Sequence, residues 1–277
     1  MSDTVRSGVG VHGGRSATVR LHRADGPVRF RVGRTELRAD WRRVVSTRGA
    51  TVLGDDGVRL ATVEHLLAAL HVRSVFGGLV IEVDGDELPI LDGSAAPWDE
   101  VVTTLGPYPP APTPVAGDAQ ATSDDRWARL TSGDRWLHVT VAYDHPAVAR
   151  MSWSGGPERW PDLLAARTFG FARDAERLHA AGLARGSSER NAIVYHDDGP
   201  LPSLRCPDEP VRHKALDALG DLYLLGAPFA GRLVLHRAGH DLHHALVRRL
   251  ASLGDATAPP HARSDATTAD AKREPEA

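Results

Sequence analysis

The apolar helical pattern of PVRHKALDALGDLYLLG, residues 210–226, carries His213, Lys214, Asp217 and Asp221 within three turns. Removing an unpaired carboxylate from water costs several kcal/mol, so a compensating group is required. His213 and Asp217 stand four residues apart, which places them on one helical face. Two ligands at that spacing can share a metal ion, as in the zinc helices that carry H-E-x-x-H. A structural hydrogen bond between the two is the competing reading of this pair taken alone.

A second set lies in TVEHLLAALHV, residues 62–72. Thr62 suits an N-cap, which puts Glu64 and His65 in the first turn. A helix N-terminus favours the ionised carboxylate that a general base needs. His65, His213 and Asp217 together would form a His₂Asp set. Three protein ligands leave a fourth position for water, the arrangement of catalytic zinc. Zn²⁺ suits such a set, and Fe²⁺ also accepts it. A third stretch, AGHDLHHAL, holds His240, His243 and His244. His240 and His244 form another pair four residues apart, but His243 and His244 are expected to be partly exposed imidazoles on an amphipathic helix. His240 follows Gly239 at a strand-to-helix turn, where active groups often sit, and could donate a proton.

These residues need elements to hold them. Ala17, Val19 and Leu21 alternate, as do Val28, Phe30 and Val32, and both runs predict strands. A helix at TVEHLLAALHV, a strand at GLVIEV and a helix at SAAPWDEVVTTL follow. The second half repeats the rhythm. Strands are expected at RWARLTS, RWLHVTVAY, RMSWS, NAIVYH and GRLVLH. Helices are expected at PDLLAA, RDAERLHAAG, HKALDALGDLYLL and DLHHALVRRLAS. The pattern predicts a duplicated α+β fold. Its two α+β domains span residues 1–106 and 126–255. Residues 107–125, rich in Pro and Ala, read as a linker, and residues 256–277 as a disordered tail.

Net charge is −3, which gives no basic surface for nucleic acid or anionic membrane. No apolar run approaches a membrane span and no signal peptide is evident, so the chain is not expected to be an integral membrane protein. A single cysteine, Cys206, fits a reducing cytoplasm. Of 33 basic residues only Lys214 and Lys272 are lysines, so the lysine beside His213 stands out.

TVEHLLAALHV, PILDGSAAPW, ARTFGF, VRHKALDALGDL and the AGH turn occur in this order. On them the chain resembles the UDP-3-O-acyl-N-acetylglucosamine deacetylase family, zinc amidases of lipid A biosynthesis, over about residues 7–254. The resemblance implies two similar domains, each a sheet with helices, with the helices packed between the sheets and the active site at the domain interface. It implies a cytoplasmic enzyme, expected as a monomer, that removes acetate from UDP-3-O-acyl-N-acetylglucosamine in the committed step of the pathway. His65, His213 and Asp217 match its metal ligands, Glu64 its general base, and His240 the histidine of its turn, oriented by Asp221. Thr168 and Phe169 match residues at the scissile carbonyl and the sugar, and Lys214 a substrate-contacting lysine. Its acyl tunnel would be lined here by Phe169, Phe171, Leu178, Leu183, Ala192 and Val194. Either His240 protonates the leaving amine or Glu64 carries both proton transfers. Two further readings stay open: deacetylation of a different N-acetyl sugar, or a non-catalytic homologue that binds a nucleotide sugar.

Overall fold

The computed structural model describes residues 4–55 and 57–257; all but two residues of the stretch read as a tail lie outside them. Its helices are α1 (Glu64–Val72), α2 (Ala96–Leu105), α3 (Ala175–Ala180), α4 (Glu209–Tyr223) and α5 (His240–Thr257).

Two five-stranded sheets share one topology. The first runs Val5–Val9, Ser16–Pro27, Gly77–Asp84, Arg29–Val32 and Thr35–Arg38 in spatial order. The second runs Ala119–Ser123, Arg126–Thr131, Arg232–His236, Trp136–Ala142 and Arg150–Gly155. In each, the central strand comes last in sequence. It pairs antiparallel with the half's second strand and parallel with its third. A parallel neighbour demands a long crossover. The first crossover contains α1 and the second contains α4. Each crossover also carries a small three-stranded sheet ahead of its helix. In the first half its strands are Val44–Ser46, Val52–Asp55 and Val58–Leu60. In the second they are Phe169–Phe171, Ile193–His196 and Gly199–Leu201. The fold is α+β in two similar halves, as the repeated rhythm predicts.

Alternation explains the layering. Val19, Leu21 and Ile81 of the first sheet and Leu130, Val139 and Leu233 of the second point inward. One apolar core joins them through Leu66 and Leu70 of α1 and Leu216 and Leu219 of α4. The two crossover helices therefore lie against each other with a sheet beyond each.

Several local expectations change. Ala119–Ser123, inside 107–125, is the edge strand of the second sheet. PDLLAA forms no α-helix: its first three residues end a 3₁₀ segment, Pro157–Leu163, with Pro161 inside it, and proline denies the backbone donor an α-helix needs there. RDAERLHAAG yields only the short α3, which buries no residue and so gains little from packing. Thr62 does not cap α1. Its φ is 60° and its hydroxyl donates to Glu87 Oε1 at 2.9 Å, while Val63 occupies the cap position without a side-chain bond.

One contact sets the spacing of the halves. A Cβ placed on Gly220 of α4 would lie 2.1 Å from the Glu64 carbonyl oxygen of α1. Ordinarily Gly→Ala inside a helix stabilises by about 1 kcal/mol. Here Gly220→Ala should instead destabilise by about 1–3 kcal/mol, the cost of forcing packed elements apart. In a thermal melt, Tm falls by roughly 2–4 °C per kcal/mol for a chain of this size. An unchanged or higher Tm would refute the contact.

Candidate active site

The Gly220 contact brings the first turn of α1 onto the middle of α4. Glu64 and His65 open α1, while His213 and Asp217 sit one turn apart on α4. Asp217 Oδ1 lies 3.3 Å from His213 Nε2 and 3.8 Å from His65 Nε2. That oxygen is buried and has no hydrogen-bond partner among the described residues. Tetrahedral ligands at zinc bond lengths stand about 3.3 Å apart, so the three atoms are spaced to share an ion. The imidazole pair meets edge to face with centroids 5.0 Å apart.

Protonation fits as well. His213 Nδ1–H donates to the Ala166 carbonyl at 3.1 Å, which leaves the Nε2 lone pair facing Asp217. Burial pushes His65 down to about 3, helped by its neighbour His213, and burial also lowers His213. Neutral imidazole is the ligating form. Burial acts to raise Asp217, but His213 and Lys214 outweigh it and hold the group as a carboxylate. Lys214 Nζ donates to the other oxygen, Oδ2, at 2.8 Å. One anionic and two neutral donors, with a bare carboxylate oxygen among them, suit a divalent metal.

Beside this set stands an acid–base pair. Glu64 Oε2 accepts the Thr51 backbone N–H at 3.1 Å, and Oε1 lies 3.8 Å from His240 Nε2. Burial pushes Glu64 up to about 8, against the pull of His240. Burial would lower His240, yet the charge and hydrogen bond of Asp221 push it up to about 10. His240 Nδ1–H donates to Asp221 Oδ2 at 2.7 Å.

Asp221 holds more than His240. The same Oδ2 accepts His243 Nδ1–H at 2.8 Å, and Oδ1 accepts the Thr51 hydroxyl at 2.5 Å. His244 Nε2 lies 2.8 Å from Thr51 Oγ1. His243 and His244 are thus not exposed: each shows 1% of its surface. Their separations from Asp221 Oδ2 and Thr51 Oγ1 are hydrogen-bond lengths, shorter than the ~3.3 Å between ligands around one ion.

A cavity of about 360 Å³ opens from Glu64, His65, His213, Asp217 and His240. Thr168 and Lys214 line it, and Lys214 Nζ stands 5.6 Å over the Phe169 ring. All six apolar residues expected along a tunnel line it too. The loop before Phe169 is fixed by a buried pair in which Arg167 Nε and Nη2 reach Glu209 at 2.8 and 3.1 Å. His12 lines the cavity from the first half, its loop pinned by Glu87, which accepts the backbone N–H groups of His12 and Gly13. Thr51 and Glu87 carry no sequence signal, since each acts through a partner distant in the chain.

Asp221→Asn tests the pair. Without the carboxylate, only the weaker charges of Glu64 and Asp217 oppose burial at His240, and the ring should titrate well below 10. A pKa raised on folding adds stability that is complete below about 6.5 and is lost as pH rises through about 10, so Asp221→Asn also removes this alkaline loss. Histidine ¹⁵N NMR reads the first effect and pH-dependent unfolding the second. A ring still titrating near 10 would contradict the assignment.

Known proteins share this arrangement of sequence. A profile of the UDP-3-O-acyl N-acetylglycosamine deacetylase family matches residues 2–252. A UDP-3-O-acyl-N-acetylglucosamine deacetylase of Myxococcus xanthus is 40% identical over 263 residues, covering 88% of this chain and 83% of the relative. One of Anaeromyxobacter dehalogenans is 40% identical over 259 residues, with the same two coverages. One of Leptospira biflexa is 36% identical over 261 residues, covering 88% and 86%. Carried by a match that spans both halves and every residue of the cluster, the chain belongs to the UDP-3-O-acyl N-acetylglycosamine deacetylase family.

Proposed function

We propose that this chain hydrolyses the acetamide of UDP-3-O-acyl-N-acetylglucosamine to acetate and UDP-3-O-acyl-glucosamine, the committed step of lipid A biosynthesis. The observation that carries this reading is the bare Asp217 oxygen among two neutral imidazoles, next to Glu64 and His240 3.8 Å apart. His65, His213 and Asp217 would hold Zn²⁺. A metal there supplies Lewis acidity, lowers the pKa of water and favours ionised Glu64.

The chain's own groups divide the remaining work. Glu64 takes the proton from the attacking water, held in place by the Thr51 N–H on its other oxygen. The Thr168 hydroxyl, on the cavity wall, donates to the oxyanion that develops from the amide. His240, kept cationic by Asp221, gives its Nε2 proton to the departing amine. The apolar wall from Phe169 to Val194 takes the acyl chain, and Lys214 with Phe169 borders the sugar. Both halves of one chain complete the site, so we assign a monomer. No described helix is long and apolar enough to cross a membrane, and we place the enzyme in the cytoplasm.

Purified protein should carry about one equivalent of zinc, and chelation should abolish turnover of UDP-3-O-acyl-N-acetylglucosamine. Glu64→Ala and His240→Ala should each keep the metal and lower kcat by about 10²–10⁴. Near-normal turnover in either, with metal content measured, would contradict the assignment of roles. Each methylene removed from the part of the acyl chain held in the cavity should lower kcat/KM by up to about fourfold, from ~0.8 kcal/mol per buried CH₂. Rates independent of acyl length would separate the cavity from the substrate.

A further inference from the structure

The mechanism uses Asp221 and His240 but leaves without a task the two buried imidazoles that adjoin Asp221. His243 and His244 lie on the first turn of α5, each 1% exposed. His243 donates Nδ1–H to Asp221 Oδ2, the oxygen that also receives the His240 proton. Thr51 donates to Oδ1, and its hydroxyl in turn accepts from His244 Nε2. His243 Nε2 and His244 Nδ1 have no partner among the described residues. A second N–H on either ring would therefore be buried and unsatisfied, which is costly. Each ring is arranged to give one proton in a hydrogen bond and carry none to the reaction. Burial, the largest influence on His243, acts the same way and lowers it against the pull of Asp221.

We infer that His243 is a positioning residue for leaving-group protonation: it competes with His240 for one oxygen of Asp221 and so weakens the carboxylate's hold on the imidazolium. His244, through Thr51, steadies the other oxygen. This rests on the reading of His240 as proton donor. The physical basis is the sharing of one anion. Each donor withdraws charge from the carboxylate, and a donor lost from Oδ2 leaves more of that charge on His240. An over-stabilised imidazolium is a poorer acid, and the reaction needs a donor close to the operating pH. The groups that face His240 are Asp221 from α4, Glu64 from α1, His243 from α5 and Thr51 from the strand Val52–Asp55 and its approach; Asp217 and His12 act on it by charge from farther off.

The test compares zinc-loaded wild type with His243→Leu, which fills the space without a donor, and His243→Asn, whose amide N–H can take the place of Nδ1–H. In His243→Leu, kcat should fall about tenfold with KM unchanged, and the alkaline limb of the kcat–pH profile should move upward. His243→Asn should restore both. Histidine ¹⁵N NMR of the zinc-loaded protein without substrate should show the same upward movement of the His240 titration in His243→Leu and its reversal in His243→Asn. That measurement needs no turnover, so it separates failure of this inference from failure of the deacetylase reading. Unmoved His240 titration in His243→Leu overturns the inference, as does an Asn variant no better than Leu. If His243→Leu does not fold, His243→Gln, which cannot place its amide at the Nδ1 position, takes its place with the same expected losses and the same overturning result.

Discussion

The packing of the Glu64 carbonyl against Gly220 determines where every group of the site can be. Neither α1 nor α4 holds the site alone. α1 brings a carboxyl and one imidazole at its first turn, and α4 brings an imidazole and two carboxylates on successive turns. Only at a separation that leaves no room for a Cβ do His65 and Asp217 come within 3.8 Å. The duplicated topology serves this contact. In each half a parallel neighbour forces a crossover, the crossover supplies a helix, and the two helices meet between the sheets.

Burial then tunes the site in opposite directions with a single cause. Desolvation disfavours charge, so it raises Glu64 and lowers His65 and His213. The exceptions are groups with a partner of opposite sign. Asp217 keeps its charge beside the Lys214 ammonium, which donates to it, and His240 keeps its own through Asp221. The result is a neutral imidazole pair around a fixed carboxylate, beside a carboxyl and an imidazole that both hold the proton more tightly than in water.

Much of this was legible in the sequence, and the limits have physical reasons. The i, i+4 spacing of His213 and Asp217 and the placement of Glu64 and His65 in a first turn are local facts, and local periodicity carried them. Their convergence is not local; the ordered motifs of a known family supplied it. His243 shows where a rule of thumb failed. It shares a helical face with Val247 and Leu250, both fully buried, so periodicity already put it in the core. Treating an imidazole as a surface group overrode that signal, and a carboxylate 22 residues away in sequence was what made burial tolerable. Thr62 failed for a related reason. Its hydroxyl fits a cap, but Glu87 claims it, and in doing so ties α1 to the loop that carries His12. The three short strands between Val44 and Leu60 break alternation with a bulge and a glycine, and they offered no readable period.

In the proposed site the metal belongs to His65, His213 and Asp217 and not to the neighbouring cluster of Asp221, His240 and His243. X-ray absorption at the edge of the bound metal in the purified protein counts imidazole ligands directly. Two imidazoles with oxygen donors completing the shell, unchanged in His243→Asn, are the predicted result. A shell that contains no imidazole, or one that loses an imidazole in His243→Asn, would contradict the account.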